Sequence, residues 1–342
     1  MRGSADRFFN RVWYGHSKWR WLAIPFSWLF ASAMFGRRAL YRAGVLRGRD
    51  AGRPVIVVGN IAVGGTGKTP VTIWLAESLK ARGLKPGIVS RGYGGRVGPL
   101  PLQVTDSSDP AVVGDEPLLM ARRVVCPVAV HPDRVAAAGL LADMGCDVIV
   151  ADDGLQHYRL LRDFEIAVVD GARGFGNRRL LPAGPLREPL SRLQTVNRIM
   201  VQGRGELPVK LRAGGYPNVT QFELAARAVH NLGGKPPVTL EAFRGKSVHA
   251  VAAIGNPQRF FDLLQDHGIE AMPHVLADHA ALTRADLEFD DALAVIMTEK
   301  DAVKCGGFAP GNCWYVAVDI ALAADADTSW IDGLTEQVRL RQ

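Results

Sequence analysis

A glycine-rich segment that follows a short apolar run carries the residue types that bind phosphate groups. The apolar run PVIVV covers 54–58, and the segment ends in Gly64, Gly65, Thr66, Gly67, Lys68 and Thr69. Glycines let backbone N–H groups converge on phosphate oxygens, and a helix N-terminus adds a partial positive charge. Lys68 would reach the β- and γ-phosphates of ATP, and the Thr69 hydroxyl would bind Mg²⁺. The segment therefore predicts a P-loop, although Ala62 stands where the pattern GxxxxGK[ST] has its first glycine.

Two adjacent carboxylates follow another apolar run further along the chain. The run DVIVA covers 147–151 and leads directly into Asp152 and Asp153. In open parallel sheets, ligands bind at the carboxyl ends of the strands. We therefore expect one of these aspartates to hold Mg²⁺ or one of its water ligands.

The elements that must position these groups are short apolar runs that alternate with amphipathic stretches. Such alternation predicts an α/β fold with a parallel, P-loop NTPase-like sheet and helices on both faces, followed by a second, smaller α/β domain. The predicted strands are 54–58, 86–90, 127–130, 147–151, 165–169 and 198–202. The predicted domains are a helical segment 1–45, a kinase domain 46–222, a linker 223–245 and a smaller domain 246–342, whose last helix we expect to pack back on the first domain.

The N-terminal segment concentrates the positive charge of the protein. Residues 1–53 have a net charge of +9, whereas the remaining 289 residues have a net charge of −2. Between the basic residues, 21–35 read WLAIPFSWLFASAMF. As a helix these 15 residues span roughly 22 Å, which is short of the ~30 Å hydrocarbon core of a bilayer. We expect an interfacial helix with its aromatic residues at headgroup depth and its arginines toward anionic lipid.

Two other structures fit the same segment. A signal peptide has a similar charge and apolar length, but no convincing small-x-small cleavage site with a secreted-type body follows, since Gly36 leads directly into Arg37 and Arg38. A core helix with a basic rim is the second alternative. Nucleic-acid binding is disfavoured because the basic residues border an apolar run and the rest of the chain is nearly neutral. The four cysteines form no CxxC or Cys/His cluster, which fits a reducing cytosol.

Further segments appear in a fixed order and together carry a family resemblance. They are SRGYGG (90–95), GDEP (114–117), HPDR (131–134), ADDGLQH (151–157), LPAGPLREP (181–189), IGNP (254–257) and TEKDAVK (298–304). With the N-terminal apolar helix, this set closely resembles the tetraacyldisaccharide 4′-kinase family of the lipid A pathway. The resemblance runs from about residue 10 to 320.

The resemblance implies a substrate, a location and a set of site residues. It implies transfer of the γ-phosphoryl group of ATP, with Mg²⁺, to the 4′-hydroxyl of an acylated glucosamine disaccharide 1-phosphate. It also implies a peripheral or monotopic protein on the cytoplasmic face of the inner membrane, with a nucleotide site near a domain interface. Asp115 matches the proposed general base and His279 its partner. The positions that match the surrounding site are Glu116, Arg134, Asp152, Asp153, Gln156, His157, Arg187 and Glu188.

The residues support such roles independently, but they leave other functions open. Phosphoryl transfer needs positioning and charge neutralisation, which Arg134 and Arg187 could supply to ATP or to a substrate phosphate. A carboxylate near the acceptor hydroxyl is the usual base, and a neighbouring histidine can orient it. A membrane-bound P-loop ATPase switch is the main alternative function, and a soluble small-metabolite kinase is another.

Overall fold

A computed structural model describes residues 9–341 apart from 10, 16, 204, 217, 306 and 324–325. The described residues form one mixed α/β unit around a sheet of twelve strands. The strands are β1 Val55–Gly59, β2 Pro86–Ser90, β3 Leu102–Val104, β4 Val128–Val130, β5 Val148–Asp152, β6 Phe164–Asp170, β7 Arg198–Gln202, β8 Val219–Asn231, β9 Ser247–Ala252, β10 Glu270–Val275, β11 Ala294–Thr298 and β12 Cys313–Leu322. The α-helices are α1 Trp19–Arg42, α2 Lys68–Ala81, α3 Pro110–Val113, α4 Asp115–Arg123, α5 Arg134–Asp143, α6 Leu207–Ala213, α7 Pro257–Asp266, α8 Glu299–Ala302 and α9 Ser329–Leu340.

The strand order is β10-β9-β11-β12-β8-β7-β6-β1-β5-β2-β4-β3. Neighbouring strands are parallel except for the pairs β8–β12 and β3–β4. The central strands β1, β2, β5 and β7 are buried along their whole length, which explains why they appear in the sequence as continuous apolar runs. The predicted mixed α/β fold with a largely parallel sheet is confirmed, and each predicted strand lies within one or two residues of an observed one.

The segment 223–245, which we predicted to be a linker, begins inside β8. Phe222 on this strand pairs with Gln202, the last residue of β7, and with Leu322, the last residue of β12. Because β12 runs antiparallel to β8, the carboxyl ends of the strands of both halves of the chain face each other at this point. The prediction of a linker was wrong for 223–231 because the glycines and prolines that suggested it lie in the flanking turns, while 222–231 pair along their length with β12.

The C-terminal helix α9 returns from the second half of the chain to the first. The Trp330 ring stacks on Phe164 with ring centroids 5.7 Å apart, and it lies 6.1 Å from the ring of Trp74 on α2. The guanidinium of Arg82, at the end of α2, is within 2.6 Å of the Asp332 carboxylate. The helix α9 therefore connects the two halves of the chain by side-chain packing, in addition to the strand pairing through β8.

The helix α1 extends well beyond the apolar run that predicted it. Its 24 residues continue through the basic positions Arg37, Arg38 and Arg42. Part of the N-terminal segment, including Arg2 and Arg7, lies outside the described residues. No helix in the described part of the chain combines the length and apolar character that a membrane span requires.

Glycines fix the loop that follows β2 against the turn that begins α4. A methyl group on Gly95 would overlap the carbonyl oxygen of Val112 and lie 2.7 Å from the Gly114 nitrogen. Gly114 itself has a φ of 90°, and a methyl group there would lie 2.7 Å from the Tyr93 carbonyl oxygen. The SRGYGG loop thus packs backbone to backbone against the residue that precedes Asp115.

The substitution Gly95→Ala should lower the free energy of unfolding by about 1–3 kcal/mol, because backbone atoms cannot move aside as a flexible side chain can. Gly98→Ala in the same loop is the matched control, since nothing lies within 4 Å of its added methyl group. Urea unfolding of both variants measures the difference. Equal midpoints for Gly95→Ala and Gly98→Ala would contradict the packing described here.

Candidate active site

Loops from both halves of the chain enclose one cleft of about 2180 Å³. Its volume exceeds the ~300–1,000 Å³ of an ordinary ligand pocket, so it has room for a nucleotide and a second substrate. The predicted site residues that line it are Gly64, Gly65, Thr66, Gly67, Lys68, Thr69, Glu116, Arg134, Asp152, Asp153, Gln156, His157, Arg187, Glu188 and His279. Asp115 adjoins the cleft through its contact with His279.

The loop between β1 and α2 lines the cleft, and both its backbone conformation and a buried side chain fix its shape. Gly67, which precedes α2, has a φ of 87°, in the left-handed region that glycine adopts most readily. The buried Asn60 side chain donates to the Thr66 hydroxyl at 3.3 Å and lies 3.5 Å from the Gly64 carbonyl oxygen. One side chain therefore braces both sides of the loop at the N-terminus of the helix.

Asp152 and Asp153 occupy different electrostatic environments at the carboxyl end of β5. Asp152 is buried and accepts hydrogen bonds from Thr72 at 3.3 Å and from Ser90 at 3.5 Å. Burial raises the pKa of Asp152 to about 7, and repulsion from the nearby carboxylates of Glu116 and Asp153 acts in the same direction. A buried carboxylate surrounded by others is a place where a cation is favourable.

Asp153 faces two cations. Its Oδ1 lies 3.7 Å from the Lys68 Nζ, and its Oδ2 lies 3.1 Å from the Arg187 Nη1. Burial raises the pKa of Asp153, but Lys68 and Arg187 outweigh this effect and hold it below its ordinary value. The aspartate is thus ionised, and it fixes the lysine of the glycine-rich loop and the arginine of LPAGPLREP side by side.

Arg134 and Glu188 support the cleft from within the protein. The Arg134 guanidinium is buried and donates to the carbonyl oxygens of Asp152 at 3.1 Å and Asp153 at 2.8 Å. It therefore braces the end of β5, and because it also lines the cleft, the predicted contact with ATP or with a substrate phosphate stays a prediction. Glu188 is 1% exposed and accepts hydrogen bonds from Gln156 at 2.8 Å and Tyr158 at 2.7 Å.

His157 lies in the wall between this region and α1. Burial, together with the neighbouring cations Arg134 and Arg162, lowers the pKa of His157 to about 4. Its imidazole is therefore neutral. The buried Nε2 atom has no hydrogen-bond partner among the described residues.

The structure brings Asp115 and His279 together although 163 residues separate them in the chain. Asp115 is the first residue of α4, and its Oδ2 lies 3.3 Å from the Nδ1 of His279. His279 has a φ of 59°, an uncommon conformation for a residue other than glycine, and its backbone N–H donates to the Ala253 carbonyl oxygen at 3.3 Å. The Tyr93 ring meets the imidazole edge to face at 5.0 Å.

Two lysines of TEKDAVK belong to this site, and sequence reasoning gave neither of them a role. Lys300 Nζ lies 2.9 Å from Glu116 Oε1 and 3.2 Å from His279 Nε2. Lys304 Nζ lies 3.6 Å from Asp115 Oδ2. The available signal was the spacing of the two lysines, because residues four apart in a helical turn project from the same side, although Lys304 lies two residues beyond the end of α8.

No group of three or more His, Cys, Asp or Glu side chains in the described ranges is arranged to hold a metal ion. The groups of the predicted magnesium site are Thr69 at the start of α2 and the Asp152–Asp153 pair at the end of β5, and all three line the cleft.

The comparisons with known sequences agree with one another over most of the chain. The family model described as "Tetraacyldisaccharide-1-P 4'-kinase" matches residues 19–336. The tetraacyldisaccharide 4'-kinase of Nitrosococcus oceani is 48% identical over 315 residues, which are 92% of this chain and 90% of that protein. The enzyme of the same name from Alkalilimnicola ehrlichii is 51% identical over 302 residues, 88% of each chain. That of Pseudomonas aeruginosa PAO1 is 46% identical over 333 residues, 96% of this chain and 97% of the other.

A solved structure has the same fold. The crystal structure of LpxK from Aquifex aeolicus in complex with ATP matches with a TM-score of 0.75 at 25% sequence identity, covering 94% of this chain and 99% of that one. The family match begins at the first residue of α1 and extends through the second half of the chain to residue 336. The chain therefore belongs to the tetraacyldisaccharide-1-P 4'-kinase family.

Proposed function

We propose that this protein transfers the γ-phosphoryl group of ATP to the 4′-hydroxyl of an acylated glucosamine disaccharide 1-phosphate, a step of lipid A biosynthesis. The observation that carries the proposal is the arrangement of one cleft in a chain of this family. The glycine-rich loop at the N-terminus of α2 and the Asp115–His279 pair both adjoin the cleft. We also propose that the chain functions as two α/β domains, with the nucleotide between them.

The loop that ends at Gly67 is the proposed phosphate-binding P-loop. Its glycines leave the backbone N–H groups accessible, and the N-terminus of α2 adds its partial positive charge. Lys68 and Arg187 converge on Asp153 at 3.7 Å and 3.1 Å, so both cations are already oriented beside the loop. These cations would offset charge on the transferred phosphoryl group, which is the main requirement of this chemistry.

The residues at the end of β5 fit Mg²⁺. This ion is typically held by one or two carboxylates together with substrate phosphates and water, and Asp152, Asp153 and the Thr69 hydroxyl offer such a set. The raised pKa of Asp152, which stems from burial and from neighbouring carboxylates, supports a cation there. When bound, the ion would neutralise charge on the phosphates.

Asp115 is the proposed general base. The proton of the 4′-hydroxyl passes to the Asp115 carboxylate while the hydroxyl oxygen forms a bond to the γ-phosphorus. The bond between that phosphorus and the oxygen that bridges to the β-phosphorus breaks, and ADP leaves with both electrons of the broken bond. His279 orients the carboxylate.

The cleft extends to α1, where an acylated acceptor would lie. Phe30, Met34 and Arg37 of this helix line it, which offers apolar contacts for acyl chains and a cation for a phosphate. The only buried side chain of α1 is Ser27, whose hydroxyl donates to the Leu180 carbonyl oxygen at 2.9 Å and accepts from the Ala183 N–H at 3.0 Å.

On the face of α1 away from the cleft, large apolar side chains point outward. Leu22, Trp28 and Leu29 are 66%, 69% and 68% exposed. Large exposed apolar patches mark interaction surfaces, and here arginines flank the patch. We propose that α1 lies in the cytoplasmic face of the inner membrane as a peripheral or monotopic element, with Arg38 and Arg42 toward anionic lipid.

Transfer of labelled phosphate from ATP in the presence and absence of acylated disaccharide 1-phosphate tests the proposed function. A kinase yields labelled lipid only with the acceptor. Strong ATP hydrolysis without labelled lipid would instead support a membrane-bound P-loop ATPase switch.

Lys68→Ala should reduce kcat by roughly 10³-fold or more without unfolding the protein, because a cation beside the transferred phosphoryl group is lost. Lys80→Ala is the matched control, since Lys80 lies at the other end of α2, where its ammonium donates to the Val125 carbonyl oxygen. Steady-state kinetics and thermal melts check both variants. Near-normal turnover by folded Lys68→Ala protein would remove the loop from the mechanism.

Cosedimentation with anionic vesicles should separate the two contributions of α1. Removing two charges with Arg38→Gln and Arg42→Gln should weaken binding at low salt by about 2 kcal/mol, an effect that high salt removes. Leu22→Gln with Leu29→Gln should weaken binding at every salt concentration because apolar burial is lost. Leu340→Gln, an exposed leucine on α9, is the control.

Complete release of the wild-type protein by high salt would contradict the apolar contribution. A tag on residue 1 that is accessible from the periplasmic side would contradict the topology.

A further inference from the structure

Lys300 is surrounded by hydrogen-bond acceptors at the point where the two halves of the chain meet. It lies in the first turn of α8, directly after β11, and its side chain is 18% exposed. Its Nζ lies 2.9 Å from Glu116 Oε1, 3.2 Å from His279 Nε2 and 3.8 Å from Asp278 Oδ1. Three groups on two separate segments therefore converge on one ammonium.

The contact with His279 determines which ring nitrogen carries a proton. An ammonium group donates hydrogen bonds and cannot accept them, so the Nε2 atom facing Lys300 must be the acceptor. In a neutral imidazole the other nitrogen then carries the hydrogen. That nitrogen, Nδ1, lies 3.3 Å from Asp115 Oδ2, to which it donates.

The charge state of Lys300 is consistent with this arrangement. Burial lowers its pKa, but the Glu116 and Asp278 carboxylates outweigh burial and leave the pKa above its ordinary value. The lysine remains protonated and can serve only as a donor to His279.

A second lysine approaches the same oxygen of Asp115. Lys304 Nζ lies 3.6 Å from Asp115 Oδ2 and 2.9 Å from Asp301 Oδ1. Asp301 is fully buried and accepts from the Ala253 N–H at 3.0 Å, which anchors the lysine to the end of β9. Oδ2 of Asp115 is therefore held by two groups, whereas Oδ1 receives no hydrogen bond from the described residues.

We propose that Lys300 is a positioning residue that fixes His279 as the neutral Nδ1–H tautomer, so that Asp115 Oδ2 is engaged and Oδ1 receives the proton of the acceptor hydroxyl. This inference rests on the proposed function for the role of Asp115, but the tautomer itself is a property of the protein alone. His279 acts here as a donor that orients the carboxylate.

The tautomer can be measured by NMR of full-length protein with ¹⁵N-labelled histidine side chains. Two-bond correlations between ring nitrogens and carbon-bound protons distinguish the two tautomers, and His279→Gln identifies the signals. We expect Nδ1–H in the wild-type protein. An Nε2–H tautomer, or an imidazole protonated on both nitrogens, would overturn the proposal whether or not any Lys300 variant folds.

Variants at Lys300 then test whether this lysine determines the tautomer of His279. Lys300→Met should shift His279 toward the Nε2–H tautomer and lower kcat by roughly 10²-fold, the low end of what a positioned base contributes, with little change in KM for ATP. Lys300→Arg keeps a hydrogen-bond donor at this position and should therefore retain the Nδ1–H tautomer and most of the wild-type kcat. Lys304→Met is the matched variant for the spectrum, because Lys304 contacts Asp115 and not His279, and it should leave the tautomer unchanged.

An unaltered tautomer in folded Lys300→Met protein would overturn the proposal. The tautomer assignment and the proposed function can fail separately. A normal kcat in Asp115→Asn would exclude Asp115 as the base and leave the tautomer assignment intact, whereas the absence of labelled lipid would overturn the proposed function.

Discussion

The contact between Asp115 and His279 is the interaction on which the rest of the site depends. Asp115 begins a helix in the first half of the chain, and His279 follows a strand in the second half. The positive φ of His279 costs of order 1–3 kcal/mol for a residue other than glycine, so the surrounding structure must hold it there. The Tyr93 ring and the Lys300 ammonium contact the imidazole from different directions.

The sheet explains how two distant segments reach one cleft. The long strand β8 pairs with β7 at its beginning and with β12 along most of its length. Since β12 runs against β8, the carboxyl ends of both strand sets meet near Phe222. Ligand sites of open α/β sheets lie at carboxyl ends, and here two such edges face each other. The helix α9, with Trp330 against Phe164, adds apolar packing between the halves.

The sequence predicted those parts of the fold and site that depend on local pattern. Buried parallel strands appear as continuous apolar runs, and a glycine-rich loop before a helix is typical of phosphate-binding sites, so β1, β5 and Lys68 could be located directly. Strand β8 was predicted to be part of a linker because only about half of its residues are apolar and because glycine-rich turns flank it. Its strand character comes from its neighbours in the sheet.

Other features depend on tertiary contacts that no local pattern records. Arg134 lines the cleft, and it also donates to the carbonyl oxygens at the end of β5, a contact that its sequence context could not show. The roles of Lys300 and Lys304 follow only when α8 is placed against α4. The outward orientation of the apolar face of α1 follows from the inward hydrogen bonds of Ser27, which the apolar run could not reveal.

The most direct test of the central claim is a double-mutant cycle between the two halves of the site. Asp115→Asn keeps the shape of the side chain and removes its basicity, and His279→Ala removes its partner. Measurement of kcat for both single variants and for the double variant gives the coupling between them. If the two residues act as one unit, the double variant loses much less than the product of the single losses. Losses that multiply would mean that Asp115 and His279 act independently, and would contradict a site assembled through their contact.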